Sequence, residues 1–445
     1  MQHNIRSTFV LALAISIAPF HEALGQNWTQ FRGPQGNGIA STDKVTLEID
    51  PKKSKNVRWR TETPEAGWSS PITDGKRIWL TAARMTEATP KQKEAKLANV
   101  SMAAMKEVAG LVDLFAYCFD VESGTMLHNI PLRTVDSPNP IHPMNGYASP
   151  TGVIVGDRVV LHFGQYGTWC LDASTGRELW QRQLVVDDSV GPGSSLVAHQ
   201  GKVIVTCDGM DQQFVAALSV ATGDEVWRTP RPKLDAENGE YRKSYSSPIL
   251  IEVDGKTQAV VPAAQWCVAY DPETGSEIWR LEHGKGFSIT PMPLYVDGKI
   301  IMSTGYGKPD IVAIDPRGKG DITKTNILWR ESRSGSVMPS MLSIDGLVYS
   351  ISDGGIVSAL STSDGSLAWR QRLGGKFSAS PFAVGRNVIV ADHDGKVTIF
   401  RAGDSYQETA KYEFDEQIMA SPVPIGNDLL VRTKTALYRF GSTAN

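Results

Sequence analysis

Six histidines lie beyond residue 26, at positions 128, 142, 162, 199, 283 and 393, and none sits in a GxSxG or HExxH setting. Neither a serine hydrolase nor a helix-borne zinc site is therefore spelled out. His142, in the loop NPIHPMNGY, is the best placed to act, whereas His162 and His199 read as satisfied strand or turn residues. The four cysteines, Cys118, Cys170, Cys207 and Cys267, include no CxxCH and no CxxC pair, which excludes covalent haem and a cysteine zinc site. What remains is a dispersed aromatic and polar set. Trp68, Tyr147 and Tyr245, with Phe287 and Phe377, each precede a short strand. Lys285, Lys308, Arg333 and Lys376 add cations; Asp208, Asp211, Asp353 and Asp392 add anions; Asn145 and His393 add an amide and a titratable ring. Brought together, these would make an aromatic-walled polar pocket for a planar anionic ligand or a sugar. Left apart, they would be a solvated rim with a few packing aromatics. No residue is assigned a catalytic role, and no spacing assembles a metal site.

The elements that must position these residues are set by a recurring phrase. CLDASTGRELW ends on Trp180, ALSVATGDEVW on Trp227, AYDPETGSEIW on Trp279 and ALSTSDGSLAW on Trp369, with a longer version ending on Trp329. The tryptophans recur at intervals of 47, 52, 50 and 40 residues. Alternating apolar residues on either side of a Thr-Gly or Asp-Gly turn spell two half-buried strands, since glycine tolerates the positive φ the turn requires. A period of this length with strands in each unit predicts propeller blades.

A second phrase opens each unit with a proline or small residue, as in SSPITDG at Pro71, with further copies at Pro150, Gly193, Pro248, Pro291, Pro339, Pro381 and Pro422. Proline fits the first residue of a strand, where no ladder donor is needed. Joining the two phrases gives strands A, B, C and D per unit and an all-β fold: a single eight-bladed propeller. The eighth unit ends with strand C at Ala436 to Phe440, so the isolated VRWRT at 57–61 supplies its missing strand, closing the ring with one strand from each end of the chain. The D–A and B–C loops then share one face, which carries the long insertions: a helical one at 84–113, with its helix near Lys91 to Val108, and the D–A loops 133–147 and 228–246. Long loops on a rigid scaffold are the usual place for binding.

The 445 residues hold 41 Gly, 25 Pro and 11 Trp, which suits a turn-rich β protein, and a net charge of -3 gives no reason to expect nucleic acid. Residues 1–25 read as a signal peptide: a polar start, an apolar run from Phe9 to Phe20 and the small pair Ala23 and Gly25 before a cut. That run is too short for a membrane span, so the chain is expected to be exported, periplasmic or secreted, without a transmembrane span and monomeric. Four cysteines allow three complete pairings. Cys118 and Cys170 occupy equivalent positions in successive units, too far apart to bridge if the units are blades. Residues 26–56, opening with WTQFRGPQGNG, form a lead-in of ordered coil followed by a linker, and residues 57–445 the propeller.

The phrase A-x-D-x-x-T-G-x-x-x-W with its opening S-P resembles the tryptophan-docking repeat of pyrroloquinoline quinone (PQQ) dehydrogenase-type propellers, over nearly all of 57–440. The lead-in also looks like that of a large group of exported bacterial propeller proteins. The resemblance implies that Trp59, Trp180, Trp227, Trp279, Trp329 and Trp369 dock between neighbouring blades, each burial stabilising the ring by ~1.5–3 kcal/mol. It leaves two functions open, because sites are grafted on folds. One is a non-catalytic binding or scaffold module, as in the BamB-type branch, with a protein or a carbohydrate as partner. The alternative is a PQQ- and calcium-dependent alcohol or sugar dehydrogenase, in which Trp68 would stack on the quinone and Asn145 with an Asp would hold the ion. Against the enzyme, no two cysteines are adjacent, so the vicinal disulfide of the classical dehydrogenases is missing. Against a BamB role in the narrow sense, no lipidation cysteine stands near the cut.

Overall fold

The computed structural model describes residues 27–98 and 100–442; the segment read as a signal peptide lies outside the described residues. The recurring turn folds for a local reason. Asp172 Oδ1 accepts from the backbone N–H of Ser174 and Thr175 at 3.0 and 2.8 Å. Gly176, at φ 71°, then returns its N–H to the Asp172 carbonyl at 2.9 Å. Asp120 and Asp271 cap the equivalent turns in the same way.

Four turns of this kind receive the tryptophan of the preceding blade. The Trp180 indole N–H donates to the Val220 carbonyl at 2.9 Å, Trp59 to Val121 at 2.9 Å, Trp227 to Pro272 at 3.0 Å and Trp329 to Thr362 at 3.2 Å. In every one of these pairs the acceptor is the second residue of the turn, so the docking role the resemblance implied is a repeated hydrogen bond as well as a burial. Trp369 donates to Gly403, in a blade whose turn phrase is degenerate. Trp279 differs: it is fully buried but donates to Gln258 Oε1 in its own blade. Opposite it, Gly320–Asp321 joins Glu277–Glu282 as a parallel fifth strand.

Eight sheets result. Blade 1 comprises Ile72–Thr73, Arg77–Glu87, Ala109–Asp120 and Met126–Asp136 as strands A to D. Blade 8 takes Val423–Ile425, Asp428–Arg432 and Ala436–Phe440 and is completed by Val57–Glu62, with Trp59 opposite Arg439 and Glu62 opposite Ala436. The ring thus closes with one strand from each end of the described chain. In blade 1 the docking position is held by His128, which pairs with Cys118 as Trp180 pairs with Cys170. All four cysteines are buried and unpaired, and burial pushes the Cys118 and Cys267 thiols up to about 12.

The insertion is smaller than the sequence suggested. Strands B and C of blade 1 run on to Glu87 and from Ala109, because Val112 and Leu114 are buried against blade 2 and keep the strand alternation going. The helix spans Pro90–Leu97, opened by a reciprocal cap between Thr89 and Gln92. No helix residue is buried, so nothing extends it, and a 3₁₀ turn follows at Ala103–Met105. No helix among the described residues is long and apolar enough to cross a membrane.

The lead-in crosses the ring. Trp28 pairs with Thr73 of blade 1, Thr29 accepts from Ile154 of blade 2, and Ile39 pairs with Ala383 of blade 7, each on an innermost strand. Between them the buried Arg32 donates to the carbonyls of Met341 and Pro381 in blades 6 and 7. The stretch read as linker is anchored too: Val45 and Ile49 are buried in the core shared by blades 7 and 8.

Candidate functional site

On the D–A/B–C face the ring opens into a central cavity of about 400 Å³. Its base is a girdle of hydroxyls. Ser70 N–H donates to Thr151 Oγ1, Thr151 N–H to Ser195 Oγ and Ser195 N–H to Ser247 Oγ, at 2.9, 3.0 and 2.9 Å. The chain resumes with Met292 N–H to Ser340 Oγ, Ser340 N–H to Ser380 Oγ, Ser380 N–H to Ser421 Oγ and Ser421 N–H to Ser70 Oγ, at 3.0, 3.0, 2.9 and 3.1 Å. Neighbouring blades are thus laced together around the axis, with blade 5 substituting Met292 for a hydroxyl. Phe31, from the lead-in, also lines the cavity, so the segment crossing the ring contributes to it.

The walls are soft and apolar. Met102 and Met105 from the insertion, Met144, Met338 and Met419 from D–A loops, and Trp68 and Phe287 surround the space. Phe287 meets Tyr241 and Tyr306 edge-on, with ring centroids 4.7 and 5.7 Å away, and both tyrosines are half exposed at the mouth.

One wall holds a buried charge network. Lys243 Nζ lies 2.7 Å from Glu240 Oε2 and 3.7 Å from Asp188 Oδ1, while Lys106 Nζ lies 3.6 Å from Glu240 Oε1. Ser189 Oγ donates to Glu240 at 2.7 Å, Tyr245 donates to Asp188 at 2.6 Å, and Gly191 N–H caps Asp188 at 2.8 Å. Two cations thus face two carboxylates. Burial, aided by the nearby Lys243, lowers the Lys106 pKa; burial and then Lys106 lower that of His142. Asp353, on the other side, accepts from the N–H groups of Val337 and Met338, and burial raises its pKa.

Of the residues singled out in the sequence, Trp68, His142, Asn145, Tyr245, Phe287 and Asp353 line the cavity. His393 reaches it at one remove, its Nε2 2.7 Å from the hydroxyl of the lining residue Ser378. Tyr147 is buried in the core, donating to the Asn139 carbonyl and resting edge-on against Tyr166. Asp208 is buried in a bidentate pair with Arg231, at 3.0 and 2.9 Å. Asp211 accepts from Asp187 N–H, and Asp392 from Asp394 and Lys396 N–H in its own turn. Lys285, Lys308, Arg333 and Lys376 are exposed on loops of blades 4 to 7, outside the cavity lining. Sequence reasoning missed the methionines, the Lys106–Glu240–Lys243 network and the hydroxyl girdle. Only the girdle had a signal, the serine that recurs beside the opening proline.

A calcium–quinone pair does not fit these residues. Asn145 Oδ1 already accepts from Gly146 N–H and Ser149 Oγ, and its Nδ2 donates to Val190 and Pro192. Among the described residues, no group of three His, Cys, Asp or Glu side chains could hold a metal ion. The exposed cations stand outside the lining, away from any quinone carboxylate at the base.

A family model described as outer membrane protein assembly factor BamB matches residues 35–209, 211–344 and 321–408. The chain is 26% identical over 323 residues to the outer membrane protein assembly factor BamB of Burkholderia pseudomallei (strain K96243), covering 65% of this chain and 83% of that one. Among solved structures, BamB from Moraxella catarrhalis overlaps 76% of this chain and 94% of its own with a TM-score of 0.52 at 17% identity. Quinohemoprotein alcohol dehydrogenase from Comamonas testosteroni overlaps 94% and 81% with a TM-score of 0.63 at 12% identity. At such identities the two structural likenesses speak for the fold alone. The family match, running from the lead-in through blade 7, decides the kinship: this chain belongs to the PQQ-like, BamB-type propeller family.

Proposed function

We propose that the protein is an exported, non-catalytic binding module that presents its D–A/B–C face to a partner protein. The observation that carries this reading is the grouping of exposed apolar side chains at the cavity mouth: Met102, Met105, Tyr241 and Tyr306 all stand more than 40% exposed there. Aromatic and methionine side chains are enriched at the centres of protein interfaces, and methionine adapts to irregular partners. Kinship with an outer-membrane assembly factor points to the same class of partner. Lys285, Lys308, Arg333 and Lys376, none of them in an ion pair among the described residues, suit an acidic stretch on that partner. Photo-crosslinking tests the reading. A crosslinking residue placed at Tyr306 captures a discrete partner, and one placed at the exposed Val226, in strand D of blade 3, does not. Equal capture at both positions sinks the proposal.

The quinoprotein alternative is tested separately by titrating the protein with PQQ and Ca²⁺ while following dye-linked alcohol oxidation. Saturable binding with turnover replaces the scaffold reading by the enzymatic one.

A further inference from the structure

The hydroxyl girdle has donors to spare. A serine or threonine hydroxyl offers one O–H and two lone pairs. In each of the seven girdle residues the oxygen accepts a backbone N–H from the neighbouring blade, and among the described residues none of the seven donates to a protein acceptor. All seven line the cavity, and six of them are at least 95% buried. Buried hydroxyl protons need acceptors.

A second feature supplies positive charge directly behind the girdle, outside the cavity lining itself. Arg32 donates to the carbonyls of Met341 and Pro381, the residues that directly follow Ser340 and Ser380 in the girdle. It is 4% exposed, and no carboxylate among the described residues pairs with it. Its third acceptor, the Asn37 carbonyl, is neutral as well. A buried guanidinium without a counter-charge is costly, since buried charges are ordinarily paired. The carboxylates on the walls do not answer it: Glu240 is held by Lys243 and Lys106, and Asp353 caps two N–H groups of its own neighbourhood.

We infer that the base of the cavity binds the carboxylate of a small molecule whose apolar body fills the methionine-lined space above. A carboxylate has about four lone-pair sites for hydrogen bonds, so three or four of the seven hydroxyls saturate it and the ring accepts it in several rotations. The volume of about 400 Å³ is that of a ligand pocket, larger than a bare ion requires. Thioether and aromatic walls favour an unbranched or aromatic hydrocarbon body over a sugar. The site does not depend on whether the rim engages a protein, and each can fail alone.

Calorimetric titration of the full chain with decanoate and with decan-1-ol, in chloride-free buffer, separates the head from the tail. Decanoate is expected to bind one per chain and at least tenfold more tightly than the alcohol. Ser421→Ala, at the one girdle hydroxyl that is only partly buried, is expected to weaken decanoate severalfold and leave the alcohol unchanged. S340A/S380A is expected to enlarge that loss, and S340T/S380T, which keeps both hydroxyls as Thr151 does, to restore it. Equal affinity for acid and alcohol overturns the proposal, as does an unaltered decanoate affinity in folded Ser421→Ala. Bromide binding as tightly as decanoate overturns the carboxylate in favour of an adventitious ion only.

Discussion

Gly223 and Trp180 form a single joint. A Cβ added to the glycine would stand 2.6 Å from the indole ring, while the indole N–H holds the Val220 carbonyl of the same turn. Gly124 faces Trp59, Gly275 faces Trp227 and Gly365 faces Trp329 in the same way, at 2.5, 2.5 and 2.6 Å. Turn glycine and docking tryptophan therefore fit as a pair, one in each of two adjacent blades.

Gly223→Ala should accordingly suffer twice. Its φ of 73° is strained for an L residue, and the new methyl meets a ring that cannot retreat between packed blades. Gly201 provides the control: its φ is 77°, yet nothing lies within 4 Å of the added carbon. Gly201→Ala is expected to cost about 1 kcal/mol from the backbone alone, and Gly223→Ala about 1–3 kcal/mol more from overpacking. Urea unfolding of the two variants measures the difference, and equal midpoints would show that the joint tolerates the methyl.

Ring closure can be tested by removing only the closing strand. Replacing Val57–Glu62 with a Gly-Ser segment of equal length keeps the lead-in attached but strips the edge Ala436–Phe440 of its partner. An unpaired edge of this length is a template for intermolecular pairing. Light scattering after size-exclusion chromatography should show concentration-dependent oligomers for the variant against a constant mass for the parent.

The fold was legible because the chain repeats itself. One Asp-x-x-Thr-Gly phrase specifies a turn, a strand pair and the blade-to-blade contact, so each copy corroborates the others. The site was legible only in part. Trp68, Asn145 and Tyr245 were found because loops just before strand A must approach the axis. Tyr147 sits in the same kind of loop, but its ring turns into the core towards Tyr166, a choice of rotamer that no spacing encodes. Asp208 looked like a free anion because its partner, Arg231, is 23 residues away. The methionines come from four separate parts of the chain and converge only when the ring closes.

Acid should weaken the protein in a defined window. His162 and His283 are fully buried, and burial lowers both pKa values to about 4. His162 Nδ1 lies 2.8 Å from Thr168 Oγ1, and His283 Nε2 3.0 Å from the Ala263 carbonyl. In the unfolded chain both titrate near 6.5. Between these values the unfolded state binds more protons, so stability is whole above about pH 6.5 and is lost as pH falls towards 4, by up to about 3 kcal/mol per histidine. Thermal unfolding should be flat from pH 7 to 8 and decline steadily below 6.5. His162→Gln should shallow that decline, and an unchanged slope would assign the acid sensitivity elsewhere.

The Lys106–Glu240–Lys243 network joins the insertion to blade 3 through residues with different duties. Lys243 is wholly buried and touches both Glu240 and Asp188, so Lys243→Met leaves two buried carboxylates short of their cation. Removing one partner of a buried pair costs about 3–5 kcal/mol, and the loss should appear as a fall in global stability. Lys106 holds only Glu240 and Ser189, and it approaches them from the end of the 3₁₀ turn Ala103–Met105. Lys106→Met leaves Glu240 paired with Lys243, so global stability should drop far less. What it removes is the side-chain tether of the segment that carries Met102 and Met105 to the cavity mouth, leaving the backbone bridge between Glu107 and Ile141. Hydrogen exchange should therefore quicken across residues 100–108 in Lys106→Met while the strands of blade 3 keep their protection. In Lys243→Met the order reverses, with protection lost in blade 3 first. If both variants opened the same residues, the network would be one structural unit and the insertion no independent flap.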